Sequence, residues 1–280
     1  MLQQTQVKTV IPYFNNFVKK IPNLKALSDC SETKILKLWE GLGYYRRAKN
    51  LHKTSKMLIK KYNGKIPSNF LKLKELPGIG DYTANVLLAL IYNQPRIGFD
   101  GNVKRVLSRL FNVTTWDEVN LFKTKRNSDL AEALMEFGAL ICKPKDPRCK
   151  ECKIKKMCSY YKSESKIKFN KKIKVKEKSY DIFCYLKKST KQIALTKSNN
   201  LGFLKKFNLP KIKETSIKNK NWKFLCNYKN SISNKKLSIN LYYKFSLKIP
   251  SKYNWYSLNK NNEFIPTFTK KIFRQVSHLY

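Results

Sequence analysis

The chain has 280 residues, of which 42% are hydrophobic and 28% are charged. Its 59 lysines and arginines outnumber its 18 acidic residues and give a formal net charge of +41. This excess favours a polyanionic partner, because bound lysine and arginine displace counterions from phosphates. Without a run of eighteen apolar residues, the sequence does not predict a membrane protein, and we expect a soluble intracellular chain of two domains.

Apolar residues at helical spacing predict helices over residues 1–62. Two unusual stretches lie within this region, MLQQTQV at residues 1–7 and WEGLGYYRRAKNL at residues 39–51. Surface glutamines and buried aromatic residues would explain both stretches as well as a function would. The residues alone leave these two interpretations open.

A short turn with the sequence LPGIG, at residues 76–80, separates two apolar segments of helical spacing. Its proline and glycines end one helix and open the next, so the pattern predicts a helix, a hairpin and a second helix. Glycines allow backbone N–H groups at a helix start to approach an anion, and in so basic a chain we expect a nucleic-acid phosphate. A plain connecting turn is the alternative.

Residues 103–140 again show helical spacing, and the stretch GFDGNV at residues 98–103 leads into them. Lys104 and Arg105 would lie at the start of this helix beside Asp100. They could also form a solvated charged face, which is the usual position of adjacent charges.

Four of the seven cysteines, Cys142, Cys149, Cys152 and Cys158, have the spacing C-x6-C-x2-C-x5-C. Thiolates this close in sequence can hold one metal centre, either zinc or an iron–sulfur cluster. The spacing alone does not separate the two metals. Basic residues between the cysteines indicate a loop that lies against nucleic-acid phosphates.

The composition changes after the cysteines. A lysine- and serine-rich stretch predicts a linker, and strand-like runs at residues 181–186, 192–195 and 238–245 follow it. We therefore expect a helical domain over residues 1–160, a basic linker over residues 161–178 and a mixed α/β domain over residues 179–280.

The hairpin sequence LPGIG, with Asp100 some twenty residues later, resembles the helix-hairpin-helix DNA glycosylases. MLQQTQV and WEGLGYYRRAKNL, at matching distances, resemble the MutY-type adenine glycosylases within that family. The resemblance implies a mostly α helix-hairpin-helix domain with an iron–sulfur loop and a smaller α/β Nudix-like C-terminal domain. The stretch from Leu201 to Pro210 loosely resembles the turn of that second domain, but the glutamate cluster of Nudix hydrolases is absent, so pyrophosphate cleavage is not expected.

The resemblance also implies roles for single residues around the hairpin. Gly78 and Gly80 would bind the phosphodiester. Asp100 would be catalytic, with Tyr82 beside the scissile sugar and Asn102 in support.

Six further residues would contact the substrate. Gln4 and Tyr44 would wedge into the base stack with Leu2 nearby, because a base must leave the duplex before its glycosidic bond is cut. The remaining three are Glu132, which would help to read adenine, and Ser277 and His278, which resemble a Phe-Ser-His loop that contacts 8-oxoguanine.

The implied reaction is hydrolysis of the N-glycosidic bond of adenine mispaired with 8-oxoguanine or guanine in double-stranded DNA. The implied protein is monomeric, cytoplasmic, bacterial and nucleoid-associated, with a [4Fe–4S] cluster on the four cysteines. The glutamate that would protonate adenine is expected two positions before Met1, and residues 1–280 alone are expected to bind DNA but to release adenine slowly. The alternatives are an endonuclease III-like glycosylase and lyase for oxidised pyrimidines, and a non-catalytic DNA-binding remnant.

Overall fold

The computed structural model describes residues 1–113, 124–163, 176–199, 201, 204–213, 221–232, 235–259 and 263–280. The helices are α1 (Val7–Lys20), α2 (Leu24–Asp29), α3 (Glu32–Leu38), α4 (Arg46–Tyr62), α5 (Phe70–Lys74), α6 (Asp81–Tyr92), α7 (Gly101–Phe111), α8 (Asn127–Leu140), α9 (Ser159–Lys162) and α10 (Thr267–Val276). The strands are β1 (Lys176–Lys187), β2 (Gln192–Leu195), β3 (Lys211–Lys213), β4 (Lys223–Ile232), β5 (Lys235–Phe245) and β6 (Asn254–Ser257). No helix in these ranges is long and apolar enough to cross a membrane.

Contacts between residues divide the chain into two compact units. The first contains Met1–Pro22, Cys30–Lys49 and Lys171–Tyr280, and the second contains Asn23–Asp29 and Asn50–Asn170. The first unit thus joins N-terminal helices to the C-terminal sheet, whereas the sequence prediction separates domains in chain order.

Parts of the predicted organisation fall on residues that the structure does not describe. Residues 164–175, which make up most of the predicted linker, lie outside the described residues. The same is true of Gly202 and Phe203 in the turn that resembles the second domain of the family. The domain boundaries therefore stay a prediction.

The predicted N-terminal helices are confirmed as α1, α3 and α4. Helix α3 begins after Ser31, whose hydroxyl accepts a hydrogen bond from the Lys34 N–H at 3.2 Å. Helix α1 buries Phe17 edge-on against the ring of Trp39, which is 1% exposed. These contacts hold α1 and α3 together within the first unit.

Six strands of the described residues form one mixed sheet in the order β4-β5-β1-β2-β6, and β3 pairs with β1. Strands β1 and β5 are parallel, and the other neighbours are antiparallel. Leu237, Ile239 and Leu241 of β5 are at most 1% exposed, so alternate residues of this strand form the core. The three predicted strand-like runs are confirmed within β1, β2 and β5.

Tyr45 fixes the N-terminal helices to the C-terminal part of the first unit. Its hydroxyl oxygen lies 2.9 Å from Thr267 Oγ1 and accepts a hydrogen bond from the Thr267 N–H at 3.2 Å. Its ring packs edge-on against Phe207 and Phe264. Because Tyr45 is 5% exposed, this contact is part of the core of the unit.

Two hydrophobic clusters form the core of the second unit. Leu58, Leu73, Leu76, Ala84 and Leu88 join α4, α5 and α6, while Ile97, Val103, Val106, Leu107 and Leu134 join α7 and α8. Helices α7 and α8 approach closely, since a Cβ atom added at Gly138 would lie 2.7 Å from Asn102 Cβ. Asn102 is therefore held against α8.

Candidate active site and cysteine loop

The LPGIG sequence forms the predicted hairpin between α5 and α6. Gly78 has a φ of +85°, a conformation that favours glycine, and a Cβ there would lie 2.7 Å from Asn50 Nδ2. Thr54 Oγ1 donates to the Pro77 carbonyl at 2.9 Å, so α4 supports the hairpin. Around Gly80, a Cβ would meet nothing within 4 Å among the described residues, which leaves the start of α6 open to an anion.

Asp100 caps the N-terminus of α7. Its Oδ1 accepts hydrogen bonds from the Asn102 N–H at 2.8 Å and the Val103 N–H at 2.7 Å. Its Oδ2 accepts a longer bond of 3.3 Å from Asn102 Nδ2. The helix dipole favours negative charge at this position, and the two backbone bonds fix the orientation of the carboxylate.

Tyr82 lies on α6 beside Asp100. Burial raises the pKa of the Tyr82 phenol, and the negative charge of Asp100 raises it further. The Tyr82 hydroxyl donates to Met135 Sδ at 3.5 Å. A Cβ at Gly98 would lie 2.9 Å from Tyr82 Cε2, so glycine permits the segment before Asp100 to pass close to α6. The structure thus brings Asp100, Asn102 and Tyr82 together.

Arg105, one turn into α7, connects this group to the cysteine loop. Its Nη2 donates to Asn102 Oδ1 at 2.8 Å and to the Gly138 carbonyl at 2.6 Å. Its Nε donates to the Cys142 carbonyl at 2.7 Å. One guanidinium therefore holds the partner of Asp100, helix α8 and the first cysteine in a fixed arrangement.

Arg109, the next turn of α7, holds the cysteine loop as well. Its Nη1 donates to the Lys143 carbonyl at 2.7 Å and lies 3.4 Å from Cys142 Sγ. Its guanidinium carbon lies 4.8 Å from the centroid of the Tyr160 ring. The backbone carbonyl of Arg109 accepts a bond from Cys158 Sγ at 3.4 Å. Both ends of the loop are therefore attached to the same helix.

The four cysteines predicted to bind a metal line a single cavity, together with apolar side chains such as Val106 and Leu110. Burial and the three neighbouring cysteines raise the pKa of the Cys149 thiol. In the described ranges, no three His, Cys, Asp or Glu side chains are close enough to hold one metal ion. The four cysteines therefore share a cavity, although their arrangement is not that of a closed site for a single ion.

The other predicted contact residues are exposed. Leu2 and Tyr44, 58% and 42% exposed, belong to the first unit, as does the exposed Gln4. Ser277 and His278 also belong to that unit and lie in a 3-10 turn after α10. Their side chains are available to a partner.

Glu132 is exposed on α8, in the second unit. It precedes Met135, whose sulfur contacts Tyr82, by one helical turn.

Sequence reasoning missed the roles of three arginines, Arg47, Arg105 and Arg109. Lys104 is exposed, as a solvated charge should be, whereas Arg105 is half-buried and bonded. The signal that could have identified these residues is rarity, because the 59 basic residues include only eight arginines. Where lysine is so strongly preferred, an arginine is a candidate for a position that needs a planar fork of donors, but the signal is not specific, because Arg46 is an exposed cation.

Comparison with known proteins gives consistent matches. A family model described as the HhH-GPD superfamily base excision DNA repair protein matches residues 1–132. The adenine DNA glycosylase of Buchnera aphidicola subsp. Baizongia pistaciae is 36% identical over 307 aligned positions, which cover 99% of this chain and 87% of that protein. The adenine DNA glycosylase of Schizosaccharomyces pombe is 37% identical over 196 positions, covering 65% of this chain and 41% of that protein.

A solved structure also resembles the chain. A trapped covalent intermediate of endonuclease III with DNA, an estranged-adenine complex, matches with a TM-score of 0.50 and 27% identity. The match covers 57% of this chain and 80% of that one. The likeness supports the helix-hairpin-helix fold.

Proposed function

The chain belongs to the adenine DNA glycosylase family, base excision repair enzymes of the helix-hairpin-helix superfamily, and from that premise we propose that it removes adenine mispaired with 8-oxoguanine or guanine in double-stranded DNA. The observation that carries the proposal is the carboxylate of Asp100, fixed at the start of α7 beside Tyr82. The open hairpin at Gly80 supports a phosphate contact in the same unit.

The geometry suits hydrolysis of an N-glycosidic bond. Such a reaction develops positive charge on the sugar, which a fixed carboxylate stabilises. Oδ1 of Asp100 is occupied by two backbone N–H groups, whereas Oδ2 accepts one longer bond among the described residues. We therefore assign Oδ2 to the sugar.

Tyr82 supports this arrangement as a neutral group. A tyrosine phenol is already protonated at neutral pH, and the raised pKa of Tyr82 extends this state further into the alkaline range, so the phenol adds no second negative charge beside Asp100. Asn102 holds Oδ2 through its amide and is itself held by Arg105.

The test is release of adenine under single-turnover conditions from duplexes containing A:8-oxoguanine, A:G or A:T. The assay uses residues 1–280 and, as a second form, the same residues with an N-terminal extension that supplies a glutamate two positions before residue 1. We expect release from the first two duplexes and not from the third. Release of oxidised pyrimidines instead, or of no base by either form, would contradict the proposal.

Tyr82 also separates this function from the lyase alternative. Glycosylases that are also lyases place a lysine nucleophile two residues after the second hairpin glycine, and here Tyr82 has that position. Base release should leave an intact abasic strand, and borohydride should trap little covalent adduct. Efficient trapping that survives substitution of nearby lysines such as Lys104 would favour the lyase.

We also propose that Cys142, Cys149, Cys152 and Cys158 hold a [4Fe–4S] cluster. Their spacing and their common cavity support it. When bound, the cluster would supply a structural cross-link of the loop. Purified protein should then contain iron and acid-labile sulfide at about four each per chain. Stoichiometric zinc in protein made under iron-replete anaerobic conditions would show that the loop is a zinc site.

We propose that the C-terminal part is Nudix-like and reads the base opposite adenine through Ser277 and His278. The mixed sheet and the exposure of both side chains support this role. Because Tyr45 packs against Phe207 and Phe264, deletion of the C-terminal part would disturb residues 30–49. Point substitutions are therefore the cleaner test. The monomeric state and nucleoid association stay predictions.

A further inference from the structure

Arg47, in the first turn of α4, bonds to two separate segments of the first unit. Its Nη1 donates to the Met1 carbonyl at 2.7 Å and to the Gln3 carbonyl. Its Nη2 donates to Thr5 Oγ1 at 3.0 Å and to the Gly43 carbonyl at 3.4 Å. One guanidinium therefore donates to four acceptors in two segments.

Two aromatic rings define the position of that guanidinium. The Arg47 guanidinium carbon lies 5.6 Å from the Trp39 ring centroid and 5.3 Å from the Tyr44 ring centroid. Trp39 is 1% exposed, and its Nε1 donates at 3.3 Å to the same Gly43 carbonyl that Arg47 contacts. A planar, delocalised cation fits this place, whereas the compact ammonium of lysine cannot reach both segments at once.

The positive charge of Arg47 is stabilised by hydrogen bonds to three carbonyl oxygens and one hydroxyl. Burial lowers the pKa of the guanidinium, and no carboxylate pairs with it among the described residues. Its Nε is buried without a partner in the same part of the chain. A cation withdrawn from water needs its hydrogen bonds, so the two segments are held with their oxygens directed at Arg47.

Both segments contain a residue in an uncommon backbone conformation. Gln4 has a φ of 57° and Tyr44 a φ of 48°, the left-handed region that residues other than glycine rarely adopt. Such conformations persist where the surroundings determine them, and they are frequent at functional sites. Both side chains are nevertheless exposed, so the backbone is fixed while the side chains remain available.

We propose that Arg47 is a positioning residue that holds residues 1–5 and the turn at Gly43 and Tyr44 in the conformation that presents Gln4 and Tyr44 to the base stack. The inference rests on the proposed function, because the wedge role of Gln4 and Tyr44 belongs to it. Arg47 itself need not touch DNA.

The test measures unstacking of a base. A duplex carries 2-aminopurine beside an A:8-oxoguanine mispair, and its fluorescence rises when the neighbouring stack opens. All variants are made in full-length Asp100→Asn protein, so that base release is too slow to affect the measurement. Arg47→Lys keeps the charge and removes the fork, and we expect its fluorescence increase to be about fivefold smaller. Circular dichroism and affinity for matched duplex verify that the protein is folded and binds DNA.

Arg46→Lys is the matched control, because it makes the same arginine-to-lysine change at an exposed cation on the same turn of α4. At saturating protein its fluorescence increase should stay within about twofold of the parent. Arg47→Lys should cause no further loss in a Gln4→Ala, Tyr44→Ala background, since its effect acts through those residues.

Three results would overturn the inference. A folded Arg47→Lys protein with the full fluorescence increase would show that Arg47 does not position the wedge. If Arg47→Lys lowers the fluorescence increase by the same factor in the Gln4→Ala, Tyr44→Ala background, Arg47 acts through other residues. A full increase in the Gln4→Ala, Tyr44→Ala protein would refute the wedge role, with adenine release still deciding the proposed function separately.

Discussion

The surroundings of Asp100 and those of Ser277 differ in how completely their polar atoms are bonded. Both carboxylate oxygens of Asp100 accept hydrogen bonds from α7, and Asn102 is in turn held by Arg105. Among the described residues, Ser277 Oγ donates one hydrogen bond, to the Arg274 carbonyl of the preceding helix α10 at 2.8 Å, and His278 is exposed. The predicted catalytic group is therefore preorganised, whereas the predicted reading group must exchange its bond when it binds.

The comparison separates chemistry from recognition. A change near Asp100 should alter the reaction or the stability of the second unit, since each side chain there has several partners. A change at Ser277 should leave stability unaltered and affect only the choice between mispairs. Substitutions at the two places test this difference.

The largest effect is expected for Asp100→Asn. Loss of the negative charge should slow single-turnover adenine release by about 10³-fold, the size found for preorganised charge stabilisation. The free energy of unfolding should change by only a few tenths of a kcal/mol, because asparagine caps a helix about as well as aspartate. Urea unfolding measured beside the rate separates the two effects. A rate loss below about tenfold would show that Asp100 is not a catalytic residue.

A smaller but still large effect is expected for Arg105→Met. The Gly138 and Cys142 carbonyls and the Asn102 amide oxygen would lose their donor, so the free energy of unfolding should fall by about 2–3 kcal/mol. Urea unfolding measures this value.

Lys104→Met is the control for that measurement, because Lys104 is an exposed cation on the same helix. It should change the free energy of unfolding by less than about 0.5 kcal/mol. Equal effects of the two substitutions would show that the bonds of Arg105 add no stability.

These contrasts also show what the sequence could predict. The hairpin and the cap at Asp100 are local, because proline, glycine and a helix-start aspartate act within a few residues. Arg105 was open to two interpretations because its acceptor, the Cys142 carbonyl, lies 37 positions away in the chain. The spacing of residues within one helix does not reveal a hydrogen bond between groups so far apart in the chain.

The C-terminal part was harder to predict for a similar reason. Phe268, Ile272, Phe273 and Val276 have helical spacing and are buried in α10, so this helix could have been found from the sequence. The parallel pairing of β1 with β5 could not, because register between strands distant in sequence depends on the whole sheet. In the sequence Tyr45 is simply the neighbour of Tyr44, and nothing there indicates that its ring packs against residues more than 150 positions away.

Ser277→Ala should have a modest effect confined to recognition. One hydrogen bond to the opposite base is worth about 1 kcal/mol, so preference for A:8-oxoguanine over A:G should fall about fivefold. Competition between the two duplexes measures the preference. Ser251→Ala is the control, since Ser251 is an exposed serine of the same unit, and it should leave the preference unchanged. An equal loss of affinity for both mispairs would assign Ser277 to general DNA binding.

The smallest expected effect is a shift in the pKa of Tyr82. Burial is the larger cause of its raised pKa, and the charge of Asp100 is the second. In Asp100→Asn protein the pKa of Tyr82 should therefore fall, but should remain above that of a free tyrosine. The tyrosinate absorbance of each protein, minus that of the same protein with Tyr82→Phe, gives the titration of this one phenol.

The same shift predicts a dependence of stability on pH. A phenol whose pKa is higher in the folded state contributes stability that is complete below the unfolded pKa of about 10 and is lost as pH rises through the folded pKa. The Asp100→Asn protein should thus lose less stability in this alkaline range than the parent, and Tyr82→Phe should remove the difference between them. If the Tyr82 titration is the same in both proteins, the Asp100 charge does not reach the hydroxyl. Tyr82 and Asp100 would then not form one site. The preorganisation of Asp100, in contrast to Ser277, would depend on Asn102 and Arg105 alone.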